Sequence, residues 1–283
     1  MTSNEWASFE FNSPLDLEEI SHDYVRPLEN LVELAAVVRS AVLELKVVPE
    51  GGDSITQSGT VLSAGGRMPM PEPKQWFQLL FMLDHVNFAE IMPAWWKLHS
   101  EIGVIPDLLA ALRDERGYVE NQYLNAASAI EGYRRHRNDR VNASPEHKAM
   151  TKSVVGCDPK DKQRRLNDLP AQSHAPTFAE RVDEIVDRGG PLFATAVGIT
   201  VDWRNWVKSG RNGVAHRDPQ MVDVDKEWRT TVRATATIQW LMTLVLLRDL
   251  GIPEDVILKG IRQQKGLEFA SANLRSVRPD WFS

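Results

Sequence analysis

The sequence predicts a mainly α-helical protein: a helical bundle interrupted by one long polar loop and preceded by a small α+β segment. Three observations carry this expectation. After residue 74, apolar residues recur at three- and four-residue spacing through most of the chain. Only Val42–Val48 reads as a well-formed strand. Residues 137–175 hold Pro145, Pro159 and Pro170 and show no sustained periodicity. The expected organisation is a segment over 1–73 and a helical domain over 74–283, with the loop at 137–175 inside it.

Residues 16–41 have a helical pattern in Leu17, Ile20, Tyr24, Leu28, Leu31, Leu34 and Val37, with Pro27 as a kink or break. The strand Val42–Val48 ends in the turn signal Pro49-Glu50-Gly51-Gly52, and a second short strand is expected near Gly59–Ser63. Gln75–Val86 and Met92–Asp114 are apolar and helical in character. Over about 118–136, Val119, Tyr123, Ala126, Ile130 and Tyr133 form one stripe, with Glu131 and Arg134 off its centre. Helices are expected near Thr177–Asp187 and Asp202–Ser209, and a long one over Asp223–Leu250, stopped by Gly251 and Pro253. Asp187-Arg188-Gly189-Gly190-Pro191 reads as a turn. A last helix covers roughly 254–264, and the tail beyond it is expected to be loosely held.

Composition excludes several classes. Apolar residues make up 42% and charged residues 25%, with nine tryptophans, which describes a folded chain. No apolar run approaches the ~18–20 residues that span a bilayer, and the first twenty residues lack a signal-peptide pattern. The single cysteine, Cys157, forms no intramolecular disulfide and argues against a thiolate zinc site. A cytoplasmic protein without metal or other cofactor is expected. There is no P-loop, no dinucleotide fingerprint and no nucleophile elbow. Net charge is −6, yet the stretch from Arg134 to Arg165 holds ten Arg and Lys against four acids. This stripe can steer a polyanion, and Arg134, Arg135, Arg137, Arg140, Lys160, Lys162, Arg164 and Arg165 are the candidate RNA contacts. A solvated loop would have the same composition.

The chemistry-bearing candidate is Arg211-Asn212-Gly213-Val214-Ala215-His216. The only other arginine followed by a histidine after four to six intervening residues is Arg140, with His147, inside the polar loop. The first pair is expected at a junction between two helices, with Gly210 and Gly213 permitting a tight turn. RNA carries its own nucleophile, the 2′-OH. His216 could take that proton or protonate the departing 5′-oxygen, and Arg211 could stabilise charge on the phosphate oxygens. Asn212 could orient the imidazole or contact substrate. Products would carry a 2′,3′-cyclic phosphate. One histidine is thin for both acid and base, and a symmetric dimer would supply two. The architectural alternative is that Arg211 caps a helix or pairs with an acid such as Asp218, while His216 satisfies a carbonyl.

These residues together resemble the HEPN superfamily, and more closely its ApeA-like branch of bacterial anti-phage defence proteins. The resemblance runs over roughly 70–265. It is carried by Trp95-Trp96, the stretch Leu124 to Arg134, the interrupting loop, Arg211-Asn212-x-x-x-His216 and the closing helix to Ile252. It implies a metal-independent ribonuclease acting on cellular RNA, tRNA being a candidate, through a composite site at a homodimer interface. Arg211 and His216 would be its catalytic pair, with Asn212 the polar position after the arginine and Glu131 an acid on the preceding helix. A non-catalytic module binding RNA or a protein is the alternative. ApeA-like proteins usually carry a β-rich region ahead of the helices, so this chain is expected to be a form shortened at its N-terminus.

Overall fold

The computed structural model describes residues 7–38, 40, 45–47, 59–61, 79–113, 117–136, 177–216, 222–223 and 226–283. The basic loop expected at 137–175 lies outside them. Among the described residues the protein is mainly helical, with one small antiparallel sheet. Leu45–Val47 (β1) pairs with Gly59–Val61 (β2), Lys46 opposite Thr60.

The first helix opens on a reciprocal cap, Glu19 N donating to Asp16 at 2.7 Å and Asp16 N to Glu19 at 3.0 Å. It runs from α1 (Leu17–Ile20) through a π turn (Ser21–Val25) into α2 (Arg26–Ala36). Pro27 accounts for the π turn, because it has no N–H and its ring crowds the carbonyl of Asp23. The indole of Trp96 donates to that Asp23 carbonyl at 2.8 Å, and the indole of Trp95 donates to the Pro27 carbonyl at 2.7 Å. The tryptophan pair thus satisfies the break in the helix and fastens it to α3 (Phe88–Ile102).

Several expectations need correction. The described part of the apolar stretch before residue 86 is not a helix but bends and one 3-10 turn, Leu83–His85. Leu80 donates its N–H to the Ala35 carbonyl at 2.7 Å, a long-range bond that a helix would forbid. Residues 92–114 hold two helices, α3 and α4 (Ile105–Leu112), parted at Gly103 with φ 58° and restarted at Pro106. The C-terminal tail is ordered: α10 (Gly266–Val277) and a 3-10 turn (Pro279–Phe282) bury Leu274 and Trp281. The Trp281 carbonyl accepts from Ile199 N and so ties the tail to the bundle.

The bundle itself consists of α5 (Val119–His136), α6 (Phe178–Val197), α7 (Thr200–His216), α8 (Trp228–Asp249) and α9 (Glu254–Gln264), with α10 against α8 and α6. The turn expected at 187–191 is a kink inside α6, where Gly190 adopts φ 64° ahead of Pro191. α8 is its axis, buried along most of its length and packed by α5, α6 and α10. Its threonines 231, 235 and 243 satisfy their hydroxyls on carbonyls four residues back. No helix among the described residues is long and apolar enough to cross a membrane.

Candidate functional site

The Arg211–His216 stretch is not a turn between helices. It forms the last turns of α7, which runs unbroken to His216. Gly210 serves packing instead: a Cβ there would lie 2.8 Å from the Tyr123 hydroxyl, so its absence lets α5 and α7 close on each other. Tyr123 is fully buried and donates to the Val207 carbonyl at 2.6 Å. Burial pushes its phenol well above the ordinary range and keeps it a neutral donor.

With Trp203, Trp206, Val207 and Gly210 facing the core, α7 turns Arg204, Lys208 and Arg211 along one flank. The acids of α6 meet the first two. Arg204 reaches Asp187 at 2.5 Å and Lys208 reaches Asp183 at 3.0 Å. At the level of Arg211 the α6 neighbour is Phe178, whose ring lies 5.4 Å from the guanidinium carbon, within cation–π range. Arg211 takes its carboxylate from α5: its Nη2 donates to Glu131 Oε2 at 3.2 Å, and its Nη1 to Asn212 Oδ1 at 3.4 Å. Both side chains are about a quarter exposed, 27% for Arg211 and 25% for Glu131.

A second arginine shares that carboxylate. Arg181 Nη1 donates at 3.3 Å both to Glu131 Oε1 and to the Glu131 main-chain carbonyl. Its side chain is 9% exposed, and its Nε is buried without a hydrogen-bond partner. α6 begins with Thr177 and Glu180 capping each other, which fixes the first turn carrying Phe178 and Arg181. A cation in a helix's first turn opposes the helix dipole, so Glu131 is what makes it tolerable there. The three side chains Glu131, Arg181 and Arg211 together carry a formal surplus of one positive charge.

Of the expected site residues, Glu131, Arg211 and Asn212 therefore come together, from α5 and α7. His216 ends α7, and its side chain lies outside the described residues. Five positions along a helix separate its backbone from that of Arg211 by about 140° around the axis and about 7.5 Å along it. Arg134 and Arg135 sit in the last turn of α5, their side chains outside the described residues, as are Arg137, Arg140, Lys160, Lys162, Arg164 and Arg165 altogether. Sequence reading missed Arg181 and Phe178. From the sequence only a helix near Thr177–Asp187 is expected; the cap Thr177-x-x-Glu180 and the apolar pair Val182 and Ile185 could have shown where it starts and which face is buried. An arginine beside that face needs an acid, and nothing local names Glu131.

A helical bundle with an arginine-bearing helix end held against an acid on a neighbouring helix defines the class: an all-α protein whose polar cluster lies where two helices cross. Residues 124–256 match the family model described as Apea-like HEPN, which covers Glu131, Arg181, Arg211 and His216, and the chain carries an Apea-like HEPN domain. HEPN domains are in general of the ribonuclease type. No curated protein and no solved structure matches the chain significantly.

Proposed function

We propose that the protein is a HEPN-type endoribonuclease that cleaves cellular RNA, tRNA among the candidate substrates, in anti-phage defence by abortive infection. One observation carries the reading: a partly exposed Arg211, gripped by Glu131 and stacked on Phe178, in a cluster with surplus positive charge. A guanidinium preorganised in that way suits the phosphate, whose non-bridging oxygens gain charge as the 2′-OH attacks. His216 moves the proton, from the 2′-OH or to the departing 5′-oxygen, and Asn212 steadies Arg211. Glu131 acts on the arginine rather than on RNA. Because Arg211 and His216 diverge around one helix, a homodimer that faces the His216 of one copy toward the Arg211 of the other completes the site. The basic residues of 134–165 supply the approach for RNA.

The test is cleavage of total cellular RNA in EDTA by wild type and by His216→Ala. The expected result is metal-independent fragments ending in 2′,3′-cyclic phosphate, lost in the variant. Equal cleavage by both proteins would sink the assignment. The architectural alternative, a helical scaffold in which the Arg211-to-His216 motif is accidental, is favoured by one fact: the Arg211–Glu131 bridge is satisfied within a single chain. It predicts no cleavage by the folded wild-type protein.

A further inference from the structure

We infer that Arg181 is a positioning residue of this site, controlling how Glu131 grips Arg211. The inference rests on the ribonuclease reading for its consequence in catalysis, though not for its geometry. Arg181 is nine-tenths buried, and Glu131 is its ion-pair partner. It binds that residue at two points, the main-chain carbonyl and Oε1, both from Nη1 at 3.3 Å. Together these points fix the end of α5 against the start of α6 and fix the rotation of the carboxylate.

The division of the carboxylate is the important part. An unengaged carboxylate facing a guanidinium forms the two-oxygen fork, the strongest arrangement such a pair has. Here Oε1 belongs to Arg181, so Glu131 meets Arg211 through Oε2 alone, at 3.2 Å. A one-oxygen grip orients Arg211 and competes less with a phosphate than a fork does. Arg181 thereby keeps Arg211 both aligned and able to exchange toward an anion. Both contacts leave from the single Nη1, so lysine could keep them only in part: its ammonium can donate to both oxygens, but it sits on a flexible stem without the rigid guanidinium plane that holds Nη1 in place.

The experiment compares Arg181→Met, Arg181→Lys, Glu131→Gln and the Arg181→Met/Glu131→Gln pair in the full chain. Each is first checked for an unchanged melting transition and association state. Arg181→Met should lower kcat/KM for RNA by about 10–100-fold, the scale of a displacement transmitted to reacting groups. KM should rise as the fork closes on Arg211, and Arg181→Lys should fall between. The decisive pattern is non-additivity: in the Glu131→Gln background, Arg181→Met should cost less than about 2-fold, since its effect passes through that carboxylate. Effects that multiply would overturn the inference, as would an Arg181→Met enzyme within 2-fold of wild type. A readout independent of activity is the Arg211 Nε–Hε signal in 15N NMR, assigned by its loss in Arg211→Lys. It should shift in Arg181→Met, and an unmoved signal would refute the positioning role even if the protein cuts no RNA. Failure of the ribonuclease reading looks different: wild type does not cut, or His216→Ala cuts as well.

Discussion

Gly210→Ala tests whether the helix crossing that carries the site is as close as it appears. The added methyl would sit 2.8 Å from the Tyr123 hydroxyl oxygen, 3.1 Å from Cζ and 3.2 Å from Cε1. Ordinary contact begins near ~3.4 Å, so the phenol must retreat by about 0.6 Å. It has little freedom to do so, being fully buried and hydrogen-bonded to the Val207 carbonyl at 2.6 Å. Overpacking of this kind costs about 1–3 kcal/mol, and alanine's better helix propensity returns about 1 kcal/mol. The net expectation is a loss of about 1 kcal/mol, read as a lower urea midpoint by circular dichroism at unchanged slope. Tyr123→Phe removes the oxygen at 2.8 Å and leaves the milder contacts, at a cost of about 1 kcal/mol for the lost hydrogen bond. In that background Gly210→Ala should become neutral or stabilising, giving a coupling of about 1–2 kcal/mol. If alanine stabilises equally in both backgrounds, Tyr123 yields freely and the close approach of α5 to α7 does not set the Glu131–Arg211 distance.

Two further outcomes follow from the fold. Trp281→Ala should cost about 3–5 kcal/mol in urea unfolding, since it empties a fully buried site under α7 and removes the ring on which Arg278 stacks at 4.3 Å; a loss below about 1 kcal/mol would return the tail to a loose appendage. Asp249 has its carboxyl pushed up to about 6 by burial and by the nearby Glu101 charge, while Tyr133 and Arg188 donate to it. An acid raised on folding holds its proton better folded than unfolded, so its penalty is absent below roughly pH 4 and complete above roughly pH 6. Wild type should therefore lose stability relative to Asp249→Asn as pH climbs through that window, and a flat difference in urea midpoints would show the carboxylate ionised throughout.

The long regular elements were legible because one face of each is buried along its whole length. The 4-3-4-3 stripe from Val119 to Tyr133 places α5 within a residue of its observed bounds, and the apolar run of α8 does the same for its C-terminal end. What failed depended on tertiary partners. The apolar stretch before residue 86 has helical composition, yet Leu80 bonds across to Ala35. The tail has a modest pattern, yet Trp281 finds a slot beside Gly198, where a side chain would collide with its carbonyl. Arg181 gave no local sign of its role, because its partner lies fifty residues away on another helix.

The glycines at 210 and 213 teach the same point about the site. Read locally, glycine beside an Arg–His pair suggests a bend that gathers both side chains into one cleft. In the protein the chain stays helical, and Gly210 admits a tyrosine from the neighbouring helix. A pair five apart on a straight helix cannot share a face, whereas residues three, four or seven apart can. The spacing therefore disfavours an arginine and a histidine serving one phosphate within one chain. Under the proposed reading it favours two copies, each offering its arginine to a phosphate approached by the other's histidine. Mixing Arg211→Ala with His216→Ala protein then discriminates. Exchanged heterodimers hold one intact Arg–His combination and should recover up to about a quarter of wild-type cleavage by statistical pairing, given two sites per dimer. A chain that works alone would recover none.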